Sequence, residues 1–206
     1  MRTVHPSNTE FLRLRMALNG KATCNQVYLG MYRITTPGYR KRDQAMRRAL
    51  PDRVFFAGGA CHILAYAFLE KYGTQITHAL WLKPATGYTS DHIVIDIIIV
   101  GTDWMFDYRG YSRCELFLTH TFRKAGQWWP GWQATFVVLP RDVLLSEEGS
   151  QAYDGPWIQE PGQFLHNALP RARAYLNRFP TPKLWRGHLD PRTNLTRARP
   201  PSIREG

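Results

Sequence analysis

The chain is short of cysteine, of long apolar runs and of acidic side chains, and each shortage closes off a class of protein. Its 206 residues hold three cysteines, Cys24, Cys61 and Cys114. An odd number spaced so widely builds no disulfide framework and fits a reducing compartment, where a lone thiol is either inert or reactive. The cysteines and histidines make no paired C-x2-C spacing, so no metal site or other cofactor is expected. Apolar runs such as Ile97 to Gly101 fall far short of the ~20 residues of a membrane span. Arg2, Glu10, Arg13 and Arg15 interrupt the N-terminal stretch, which therefore lacks the apolar core of a signal peptide. The expected location is cytoplasmic, with delivery into another cell left open. Neither a phosphate-cradling glycine loop nor an internal repeat is present.

What remains is a globular composition, 44% hydrophobic and 13% aromatic, with a formal charge of +11. That length supports one domain with a real core. The positive charge is uneven. Nine Lys/Arg face only Asp190 and Glu205 between Arg171 and Gly206, and Arg40, Lys41, Arg42, Arg47, Arg48 and Arg53 form a second cluster. Such patches attract nucleic acid, anionic membranes or acidic proteins. A solvated arginine-rich surface is the plainer reading.

The pattern predicts an α+β chain with an N-terminal helical segment over 1–50, a core over 51–178 and a Pro/Arg-rich extended tail over 179–206. Ser7 can cap a helix through Leu18. Residues 27 to 35 form a short strand or a turn-rich link, and Asp43 to Leu50 a short basic helix stopped by Pro51. Phe55 and Phe56 lead through Gly58-Gly59 into an all-round apolar helix, Cys61 to Tyr72, closed by Gly73. Strands are then expected at 75–83, 91–100 and 103–108, the last two as a hairpin turning at Gly101-Thr102, and at 134–139. A helical turn over 142–148 precedes one helix within 159–177, broken or kinked at Pro170. The Trp128-Trp129-Pro130-Gly131-Trp132 cluster reads as a rigid corner on the core, with ring stacking on a ligand as the alternative.

Cys61 sits in the first turn of its helix, where the partial positive charge favours thiolate. His92 opens a strand and Asp107 lies on the next one. A histidine beside the sulfur takes its proton, and a carboxylate on the far ring nitrogen holds the tautomer. Backbone N–H groups at the helix start can stabilise an oxyanion. If Val100 faces Asp103, then His92 and Asp107 share a face but stand ~13 Å apart in a flat ladder. Asp96 is the alternative carboxylate, disfavoured by its place on the same strand as His92. His62 is expected to point elsewhere, as a packing or surface residue, and the other histidines are isolated.

Gly58-Gly59-Ala60-Cys61-His62, then Asp91-His92-Ile93-Val94-Ile95, then Phe106-Asp107-Tyr108-Arg109-Gly110 resemble the papain-like and transglutaminase-like cysteine hydrolases of bacterial or phage type. The similarity covers residues 55 to 112. It implies a papain-like core of a central helix on an antiparallel sheet. It also implies a Cys61, His92, Asp107 triad acting on a protein or peptide carboxamide, as peptidase, deamidase or acyl transferase. Asn25, Gln26 and Gln44 are candidates for the side chain that helps to hold the oxyanion, with Gln26 preferred, and Gly59 is the candidate for backbone approach to substrate. Ala60 and His62 depart from the residues that flank the cysteine in many relatives. The rival expectation is a non-enzymatic binder of nucleic acid or an acidic protein, using Arg40, Lys41, Arg42, Arg47, Arg48 and the basic tail, on an inactive form of that fold.

Overall fold

A computed structural model describes residues 28–29, 32–33, 38–40, 42–88, 91–99 and 102–181. The expected helix over 7–18, Gln26, Asn25, Cys24, Lys41 and nearly all of the basic tail lie outside these residues. Two short strands, β1 (Tyr28–Leu29) and β2 (Tyr32–Arg33), pair antiparallel in the predicted link. Helix α1 (Gln44–Ala49) starts where the Asp43 carboxylate accepts the Met46 N–H at 3.0 Å. Helix α2 (Asp52–Ala57) follows Pro51, and α3 (Cys61–Tyr72) matches the expected bounds.

The next stretch builds the sheet: β3 (Thr77–Pro84), β4 (His92–Ile99), β5 (Thr102–Asp107) and β6 (Gly110–Arg113). Helix α4 (Cys114–Trp128) leads to β7 (Ala134–Leu139). A 3₁₀ turn over Asp142–Leu145, α5 (Glu147–Ala152), a second 3₁₀ turn over Pro161–Gln163 and α6 (Leu169–Leu176) complete the order. The five strands run β6-β5-β4-β3-β7, antiparallel throughout. This is an α+β architecture.

Strand alternation assigns each face its cover. Ala79, Trp81, Ile93, Ile95, Ile97 and Phe106 join the main core beneath α3. Phe68 of α3 packs on Phe106 with ring centroids 4.7 Å apart, and Phe56 of α2 stacks on Tyr175 of α6 at 5.0 Å. The opposite face presents Leu80, Val94 and Met105 to Phe117 of α4. Burial on both faces accounts for the Ile93-Val94-Ile95 run of β4, whereas Asp96 interrupts the run and Ile98 is exposed. Trp132 is buried with Leu82, Ala125 and Ala134, so the tryptophan cluster forms a corner on the core. No helix among the described residues is long and apolar enough to cross a membrane.

Several expectations need correction. Strands β4 and β5 pair Ile99 with Thr102 and Ile95 with Phe106, not Val100 with Asp103. Pro170 opens α6 instead of breaking a longer helix, because its missing N–H costs nothing in the first turn. Helix α4 and strand β6 were not anticipated. The buried positions of α4, Phe117, Thr121 and Ala125, form a stripe too narrow to stand out among charged neighbours. Gly73 does close α3, but at φ −60° it is not left-handed; a Cβ there would meet the Leu69 carbonyl oxygen at 2.2 Å.

Candidate active site

The observed register settles how His92 and Asp107 meet. Continuing the ladder past Ile95 and Phe106 sets Asp107 opposite Val94, two residues from His92. The shift is even, so the shared face survives, and the flat-ladder separation falls to ~7 Å, a diagonal that side chains can span. His92 Nε2 lies 3.4 Å from Asp107 Oδ2, with both side chains 2% exposed. His92 begins β4, Asp107 ends β5 and Cys61 begins α3, so the three converge at one margin of the sheet.

Arg109 holds the carboxylate. Its backbone N–H donates to Asp107 Oδ1 at 2.7 Å, while Nε and Nη2 donate to Oδ2 at 3.0 and 2.7 Å. The guanidinium lies over Phe117 and reaches Thr121 Oγ1 of α4. The turn carrying this pair is braced by Tyr175 of α6, whose hydroxyl donates to the Tyr108 carbonyl at 2.7 Å. Burial works against ionisation of Asp107, but the His92 hydrogen bond and the Arg109 charge override it and hold the carboxyl below its ordinary range.

His92 Nδ1, the ring nitrogen not turned to Asp107, is buried and has no hydrogen-bond partner among the described residues. Catalytic hydrogen bonds that are long or misaligned in a free enzyme commonly tighten when substrate binds. Burial opposes both charged forms. Against it, the pull of the His62 and His92 imidazoles brings the half-buried Cys61 thiol down to about 6. Hydrogen bonding to Asp107 and to the thiol pushes His92 up to about 9. Between those limits the pair titrates as a thiolate–imidazolium couple. Cys114 goes the other way: burial and the charges of Asp96 and Asp103 push its thiol up to about 11.

His62 is a packing residue, one of the two roles expected of it, and it also lowers the Cys61 thiol. It is 2% exposed, and its Nε2 lies 2.9 Å from the Gln159 carbonyl. A carbonyl only accepts, so Nε2 carries a proton. Gln159 also accepts from Arg47 Nη1 through Oε1 and donates to the Gln163 carbonyl at 2.7 Å. Sequence reasoning had no signal for Gln159, which stands 97 positions from His62. Arg109 did leave one, an arginine two residues beyond a strand-end aspartate.

The remaining candidates fall in different places. Gly59 is exposed with φ +114°, and a Cβ on it would lie 3.2 Å from Arg47 Nη2. That conformation and that neighbour both favour glycine. Asp96 pairs with Met105, away from His92, and burial plus Asp103 push its carboxyl up to about 7. Arg40, Arg42 and Arg48 are exposed, whereas Arg47 is half-buried over the Phe164 ring. Among the described residues, no cluster of His, Cys, Asp and Glu could hold a metal ion. No protein-family model matches the chain, and comparison with curated proteins and with solved structures likewise gave no match.

Proposed function

We propose that the chain is a papain-like thiol hydrolase acting on a protein or peptide carboxamide, as peptidase, deamidase or acyl transferase. The observation that carries this reading is the Cys61, His92, Asp107 relay at one sheet margin, with His92 Nε2 3.4 Å from Asp107 Oδ2, the thiol lowered by His62 and His92 and the imidazole raised by Asp107 and the thiol. The Cys61 thiolate attacks the carbonyl carbon. The first-turn N–H groups of α3, which have no intrahelical acceptor, face the developing oxyanion. Imidazolium His92 gives its proton to the leaving amine, and the C–N bond breaks to leave a thioester on Cys61. His92 then takes a proton from water, or from an acceptor amine in a transferase, as that nucleophile displaces the thiolate. Asp107 keeps the ring oriented and offsets its charge.

An activated acyl donor tests the chemistry without knowledge of the substrate. With p-nitrophenyl acetate, the expected result is a burst of p-nitrophenolate equimolar with protein and an acetyl group on Cys61 by mass spectrometry. Cys61→Ala and His92→Ala should both abolish the burst. Acetylation confined to lysines, or a burst that survives His92→Ala, would overturn the proposal.

A further inference from the structure

A cleft of about 410 Å³, linked to the catalytic margin through Arg47, has walls that combine Gln44, Arg47, Arg48, Phe55 and Phe164 with the exposed Leu165. The aromatic wall is continuous, with the Phe55 and Phe164 rings 5.4 Å apart. Arg171 also borders the cleft but is spent on the fold: it donates to Asp52 Oδ1 at 2.8 Å and to the carbonyls of Arg48 and Leu50. Arg47 is shared with the catalytic machinery. It donates to Gln159, whose carbonyl faces His62, and its Nη2 sits against Gly59, two positions before Cys61. Arg48 is different again, exposed and without an ion pair or side-chain hydrogen bond among the described residues. Among the described residues, no acidic side chain lines the cleft.

Two features narrow the ligand. Arg47, without an acidic partner among the described residues, lies over the Phe164 ring, and the exposed Arg48 lines the same cleft, a setting that suits a carboxylate on a short hydrocarbon stem. Gln44 Oε1 is a buried acceptor with no donor, and an anionic group cannot supply one. A peptide N–H can. We propose that this cleft is the specificity subsite for an Asp or Glu side chain of the peptide substrate. Arg48 pairs with the carboxylate, Phe164 and Leu165 cover its methylenes, and Gln44 takes a main-chain N–H. The inference rests on the thiol-hydrolase reading for its meaning, but binding can be measured without turnover.

The test uses full-length Cys61→Ala protein and a fluorescein-labelled heptapeptide with one Glu among Ala and Gly, against its Gln counterpart, by anisotropy. The Glu peptide should bind roughly tenfold more tightly, as one charge-assisted pair supplies. Arg48→Glu should erase or invert that preference, while Arg123→Glu, exposed on α4 across the sheet, should keep it. Equal binding of the two peptides, absence of binding by both, or a preference untouched by Arg48→Glu would overturn the subsite. So would displacement of the peptide by an equal concentration of inorganic phosphate, which would mark a simple anion site. The p-nitrophenyl acetate burst fails or succeeds separately. A lost burst with a retained Glu preference defeats the hydrolase and leaves an acidic-peptide cleft; the reverse defeats the cleft alone.

Discussion

Asp107 is gripped by Arg109 before it is offered to His92, and that order of commitment has measurable consequences. A buried carboxylate with a clamped partner stays ionised and fixed in rotamer, so the 3.4 Å contact to His92 Nε2 orients the ring without competing for its proton. Removing the clamp strands the carboxylate. Arg109→Ala should cost about 3 kcal/mol of unfolding free energy in urea titration, and Arg109→Lys should recover only part, since Lys cannot grip both oxygens. The pH dependence has a definite sign. Because the folded carboxyl of Asp107 is depressed, its contribution is present above its unfolded value and lost as pH falls below about 4. Asp107→Asn should flatten that acid limb. Cys61 and His92 were legible from sequence because element starts have their own signatures, a glycine bend before an apolar helix and a β-branched run. His62 was legible only as a packing or surface residue. Its role at the thiol depends on the Gln159 carbonyl, which tertiary packing alone brings to it.

At the scale of elements, the decisive quantity is hairpin register. Alternation told correctly that His92 and Asp107 share a face, because parity is insensitive to an even slip. It misjudged their separation, because the turn lies one residue earlier on each strand than the Gly-Thr pair suggested. The same face carries Asp96, partly buried near Asp103, with its carboxyl raised to about 7. A raised acid binds its proton more tightly folded than unfolded, so its contribution falls as pH climbs from about 4 to about 7. Asp96→Asn should therefore raise the melting temperature at pH ~8 and leave it nearly unchanged at pH ~4. The end of α3 makes a second check. A methyl at position 73 collides with the Leu69 carbonyl, so Gly73→Ala should destabilise by at least ~1 kcal/mol although φ there is ordinary.

For the molecule as a whole, the site is a product of complete folding. Cys61, His92, Asp107 and Gln159 come from well-separated segments, and both faces of the sheet must be covered before they meet. Thiol activation should thus vanish in the same urea transition that melts the helices, not before it. Iodoacetamide labelling of the native protein at pH ~6, read residue by residue by mass spectrometry, tests this account most directly. With its thiol near 6, Cys61 should react roughly tenfold faster than an unperturbed thiol, after allowance for the lower nucleophilicity of a more acidic sulfur. Cys114, pushed up to about 11, should stay unmodified. His92→Ala should shrink that advantage, the remainder belonging to His62. Equal sluggishness at Cys61 and Cys114, or a fast Cys61 indifferent to His92→Ala, would contradict the catalytic reading.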